Sequence, residues 1–207
     1  MGDIRFALRM LARTPALSLI VIASLALGIG ANTAIYSLMR QILFRQLPVT
    51  NAEELVYLYH PGPLQGRVST NEDGGAVFSE PMFRDLVKTQ LPFTGMAASR
   101  QTGASLSSKG QTKGGELLLV SGGYFNLLGA RPALGRLLSE EDDRLPGGHA
   151  VAVLNHGYWV SSLGSKPEVL NQTLIVNGHP MTIVGVAPPR FESEHLGQDI
   201  DVYVPLM

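Results

Sequence analysis

Between Ala16 and Met39 the chain runs for 24 residues without a charge, as ALSLIVIASLALGIGANTAIYSLM. No other feature restricts the fold as strongly. Wound into an α-helix at 1.5 Å per residue, such a run is about 36 Å long, more than the roughly 30 Å of a bilayer's hydrocarbon core. A core helix of a soluble protein rarely needs so long an uncharged stretch. A cleaved leader has a shorter one, and here the Ala-x-Ala-like spots are embedded in continuing apolar sequence. Residues 16–39 therefore read as an uncleaved transmembrane helix.

The flanks set its direction. Arg5, Arg9 and Arg13 precede the run, and Arg40 and Arg45 follow it. The bias points the N-terminus to the cytoplasm and the main body outward from the plasma (inner) membrane, into the periplasm of a two-membrane cell. Ile4, Leu8 and Leu11 share one helical face while Arg5, Arg9 and Arg13 recur at i, i+4 on another, so residues 1–15 read as a basic amphipathic segment on an anionic cytoplasmic leaflet. Thr14-Pro15 ends it. The net charge of −1 conceals this split: five arginines against Asp3 make residues 1–45 +4, and 11 Lys/Arg against 16 Asp/Glu make residues 46–207 −5.

Inside the span, Ala26, Gly30 and Ala34 recur every four residues and form a small-residue ridge along which another helix can approach closely. Asn32 and Thr33 add polar groups at mid-to-outer depth. A lone anchor needs neither feature, although glycine is also simply common in membrane helices.

Residues 46–207 are punctuated as a folded body. Leu55–Tyr59, Phe93–Ala98, Ala104–Ser107, Glu116–Ser121 and Ala150–Leu154 are strand-like. Gln172–Val176 and Met181–Val186 flank Asn177-Gly178, the dipeptide of a tight hairpin. Asp201–Pro205 reads as a closing strand. Ser79-Glu80-Pro81 opens a helix with a capping serine and a first-turn proline. Further helices are expected at Gly123–Leu128, closed by Gly129, and at His156–Leu163, closed by Gly164. Many short strands with a few short helices, and no regular βαβ series, make the class α+β.

Chemistry is sparse. With no cysteine there is no disulfide framework, thiol nucleophile or cysteine-ligated metal. There is no P-loop, so ATP is not expected to bind this chain, and no GxSxG elbow. The glycine pairs at 74–75, 114–115, 122–123 and 147–148 lack dinucleotide-binding spacing and read as turns. The five histidines are scattered, without a zinc-site spacing. His195, near Glu192, Glu194, Asp199 and Asp201, invites a metal-dependent hydrolase reading, but an exposed polar loop is the preferred one. The run Glu140–Asp143 reads as solvated acids at a helix start. No basic–aromatic stripe suggests nucleic acid. The expectation is no catalytic, cofactor-binding or metal residue: a non-enzyme whose work is mechanical or recognitive.

Several strings, in order, carry a resemblance. They are DIRFALRMLARTPALSLIVIASLALGIGANTAIYSLMRQILFRQLPV, GGYFNLLGARPALGRLLSEEDD, VAVLNHGYWVSSLGS, LNQTLIVNGHPMTIVGVAPPRF and DIDVYVPL. Together they resemble the first membrane helix and MacB-like periplasmic core domain of MacB-type ABC transporter permeases, in the duplicated-permease branch. The resemblance implies a porter-like α+β part with an inserted lobe over residues 46–207, and further membrane helices after it. It implies a P-loop ATPase subunit or domain, a second permease copy as dimer partner, and contact with membrane lipids. The implied function is export or mechanotransmission, in which the external domain couples ATPase-driven motion to substrate or partner handling. Because the sequence stops just after VYVPL, the resemblance also implies a truncated permease with an incomplete core domain. The alternative is a stand-alone single-pass anchor carrying an extracytoplasmic binding or adaptor domain.

Overall fold

The computed structural model describes residues 13–43, 49, 51–58, 78–89, 92–108, 110–145, 147–191 and 199–206. Contacts divide the chain into two units, Met1–Gln46 and Leu47–Met207.

In the first unit, helix α1 runs from Pro15 to Leu43, 29 residues. Proline suits the first turn, where its missing N–H would have no partner. Ser18 N–H donates to the Thr14 carbonyl at 3.0 Å, and Arg40 places a cation in the last turn, at the negative end of the helix dipole. The large apolar side chains of α1 are exposed, Leu27 at 77% and Leu19 at 69%. In water that surface would be untenable; in hydrocarbon it is what a spanning helix presents.

In the second unit, Ser79 opens α2 (Glu80–Lys88) by accepting from Met82 N–H at 3.4 Å. A hairpin of two ten-residue strands follows, β1 (Ser99–Ser108) and β2 (Gln111–Val120), turned through Gly110 at φ +78°. Then come α3 (Tyr124–Leu127), β3 (Leu134–Gly135), a 3₁₀ turn at Glu140–Asp143, β4 (Val151–Leu154) and α4 (His156–Leu163). The unit finishes with a 3₁₀ turn at Pro167–Val169, β5 (Thr173–Val176), β6 (His179–Val186) and β7 (Val202–Pro205). Asn177 and Gly178 take φ +50° and +85°, the left-handed pair that a tight hairpin requires. Gly164 ends α4 at φ +68°.

The strands form one sheet in the order β3-β6-β4-β7-β2-β1-β5, and β5 also pairs with β6. That extra pairing joins the two ends of a six-strand circuit, β6-β4-β7-β2-β1-β5, with β3 added beside β6. Alternation then gives the sheet two apolar faces. One face gathers Leu106, Leu117, Ala152, Leu154, Leu174, Val176, Ile183, Val202 and Val204, from all six strands of the circuit, and Tyr158, Trp159 and Leu163 of α4 pack against it. The other takes Leu118, Val120, Val153 and Tyr203 with Tyr124, Phe125, Leu128, Phe191 and Ile200. There Phe125 meets Tyr203 edge-on, with ring centroids 5.2 Å apart.

Three expectations need correction. Of the expected strand Leu55–Tyr59, Tyr59 lies outside the described residues and Leu55–Leu58 forms no strand: a 3₁₀ turn at Ala52–Glu54 precedes it, Leu55 packs against the second cluster, and no described strand pairs with it. Phe93–Ala98 is not a strand either. The ladder begins at Ser99, opposite Val120, and beyond it Ser121 takes over, its hydroxyl accepting from Ala98 N–H at 3.0 Å. The pair Gly114-Gly115 is no turn; it lies inside β2, where a Cβ on Gly115 would stand 2.6 Å from Asp201 Oδ2.

The tightest approach is at Gly185, where an added Cβ would fall 1.9 Å from the Arg136 carbonyl oxygen. Backbone cannot yield there as a side-chain tip can, so Gly185→Ala is expected to cost about 3 kcal/mol or more. Gly103→Ala, in open space within β1, should shift stability by no more than about 0.5 kcal/mol. Thermal unfolding of the full chain in detergent, followed by fluorescence of its single tryptophan, Trp159, checks the pair. Equal losses in both variants would contradict this account.

Candidate functional site

Two regions are candidates, the face of α1 and the polar clusters of the body. On α1, Ala26, Gly30 and Ala34 are all exposed, and a Cβ at Gly30 would meet nothing within 4 Å. Asn32 is exposed too, while the Thr33 hydroxyl donates to the Ile29 carbonyl at 2.8 Å and so brings its own partner into an apolar setting. Arg13 is exposed, Thr14 is a bend, and α1 starts at the next residue. Arg5 and Arg9 lie outside the described residues.

In the body, the expectation of solvated acids over Glu140–Asp143 needs correction at Asp142, which is buried and bonded. Asp142 is only 5% exposed, and Arg136 reaches it with both terminal nitrogens, at 2.6 and 2.8 Å. The Ser139 N–H and hydroxyl donate to the same carboxylate at 2.9 and 3.0 Å. Burial alone would raise the carboxyl's pKa. The Arg136 bonds, the Ser139 bonds and the arginine charge outweigh it and hold Asp142 below the ordinary range. Arg136 follows Gly135, whose φ of +66° and close approach to the Val184 carbonyl leave no room for a side chain. Gly-Arg and the acidic run are thus one structural latch, with β3 against β6 at its base. Gly122, read as a turn residue, stands where the Glu140 backbone passes, its absent Cβ 2.5 Å from that Cα.

A second carboxylate behaves in the opposite way. Asp201 enters β7 by gripping Glu116 twice: its N–H donates to the Glu116 carbonyl, and its Oδ2 accepts from the Glu116 N–H, both at 2.9 Å. Its own carbonyl accepts from Asn155 N–H at 2.8 Å. Burial pushes the Asp201 carboxyl up; the Glu116 N–H bond opposes this, and the Asp199 and Glu116 charges add to it. Burial and the Asp201 charge also raise the Tyr158 phenol.

Among the described residues no group of three or more His, Asp or Glu side chains is placed to hold a metal ion. Asp199 and Asp201 are described, whereas Glu192, Glu194 and His195 lie outside the described residues. A hollow of about 180 Å³ lies among Val87, Thr89, Phe93, Thr94, Gly95 and Met96. It is smaller than the 300 Å³ or so at which pockets for drug-sized ligands begin, and its lining holds no ionisable side chain.

Residues 18–207 match the family model of the MacB-like periplasmic core domain. No curated protein matches the sequence. Among solved structures, the body is similar to the extracellular domain of the noncanonic ABC-type transporter YknZ from Gram-positive bacteria, at 16% identity and TM-score 0.50, over 62% of this chain and 63% of that one. The periplasmic region of MacB from Actinobacillus actinomycetemcomitans aligns at 22% identity and TM-score 0.49, over 60% and 53%. A domain of a putative permease protein from Porphyromonas gingivalis aligns at 15% and 0.43, over 59% and 55%. The chain thus spans just over half to somewhat under two thirds of these relatives' lengths. At such identities the YknZ likeness speaks for the fold alone.

The two carboxylates generate opposite pH behaviour. Asp142 has a folded pKa below its unfolded one, so its contribution is present above the unfolded value and lost as pH falls through the folded value. Arg136→Met should therefore cost roughly 2 kcal/mol at neutral pH, and the difference from wild type should shrink below about pH 4. Asp201 has a folded pKa above its unfolded one, so its contribution is present at acid pH and lost as pH rises through the folded value. Asp201→Asn keeps an oxygen for the Glu116 N–H and removes the charge. It should match or exceed wild-type stability at pH 7, with any advantage fading toward acid. Melting temperatures of both variants across pH 3.5 to 7.5, about that window, test the pair; an Asp201→Asn variant less stable at neutral pH overturns the second.

Proposed function

Because the chain belongs to the family of the MacB-like periplasmic core domain, we propose that it is a non-enzymatic permease component of an ABC-type export or mechanotransmission system. The observation that carries this reading is that one family model takes in both most of the apolar helix and the whole body, residues 18–207. The domains of the proposal are a basic segment at 1–15 on the cytoplasmic face, a span at 16–39 and the extracytoplasmic core at 46–207. A P-loop ATPase supplies the energy and binds the ATP. The body transmits the resulting motion to cargo or to a partner, and a second permease copy completes the unit. Arg5, Arg9 and Arg13 rest on the anionic inner leaflet, and Ala26, Gly30 and Ala34 form the seam against a neighbouring helix.

Purification of the full gene product from native membranes in mild detergent tests the central claim. The expected result is a P-loop ATPase retained with it. In the same preparation Gly30→Leu should lower retention or self-association roughly threefold to tenfold, while Gly28→Leu, on the opposite side of α1 and equally unencumbered, should not. Reproducible absence of any ATPase removes the transporter reading. Equal effects of the two leucines remove the seam.

A second reading has one observation behind it: α1 is the single candidate membrane span among the described residues. On that reading the protein is a single-pass anchor with an external binding or adaptor domain. Saturable binding of a peptide, lipid or protein by the full chain, unaffected by ATPase depletion, would favour it.

Orientation is testable because the chain contains no cysteine. A thiol introduced by Ser165→Cys, at an exposed position after α4, should react with a membrane-impermeant maleimide added to spheroplasts. One introduced by Gly2→Cys should react only after lysis. The reverse pattern would invert the topology.

A further inference from the structure

We draw no further inference here: the strongest candidate, the apolar hollow beside α2 lined by Val87, Phe93 and Met96, lies on an exposed face for which nothing in the structure shows what covers it.

Discussion

Strand β7 is buried along its whole length, and the body is organised around that fact. Val202 and Val204 enter one apolar cluster and Tyr203 the other, so three successive residues tie both faces of the sheet together. β7 pairs in parallel with β2 along all four residues, and its Val202 and Tyr203 pair antiparallel with β4 on the other side. A strand in that position cannot be polar on either face and cannot shift by one residue without exchanging its whole side-chain set between clusters. Asp201 fixes the register just before the strand begins, through two bonds to a single residue of β2. The chain accepts a carboxylate with a raised pKa at that point, and the same carboxylate supplies the acceptor for a backbone N–H that the parallel ladder leaves over.

What the sequence made legible was local. Asn177-Gly178, Ser79-Glu80-Pro81 and Gly164 each specify a backbone conformation within a few residues, and each forms the hairpin, cap or helix end that its chemistry demands. What it hid was contact over distance. Asp201–Pro205 reads as a strand, but nothing local places it between β2 and β4 instead of at an edge. Closure of the circuit by β5 and β6 depends on pairing between β1 and β5, which lie some 70 residues apart. Gly115, Gly122 and Gly185 are glycines because another part of the chain passes through the space of a side chain, and no turn motif announces that. The Leu55–Leu58 error has the same origin. Its residues favour extended backbone, but a strand exists only with a partner.

The candidate site was legible in kind and opaque in detail. The long apolar helix could be read directly. The Arg136–Asp142 latch could not, because acids at the start of a helical turn are usually solvated, and only the fold reveals that Ser139 and Arg136 enclose this one. Gly135-Arg136, within the string GGYFNLLGARPALGRLLSEEDD, thus has a structural explanation. Glycine lets β3 lie against β6, and arginine then closes over the acidic turn.

That arrangement bears on what kind of work the body can do. Among the described residues its two buried carboxylates face Arg136, Ser139 or the Glu116 backbone, and Phe125 touches both Phe191 and Tyr203 within the second cluster. Here the latch, the Asp201 grip and the doubly buried β7 all act toward holding one shape. A closed circuit of strands with two packed faces resists shear better than an open sheet, whose edge strands can part from their neighbours. The mechanical role proposed above would draw on that stiffness of the whole body, not on any one residue.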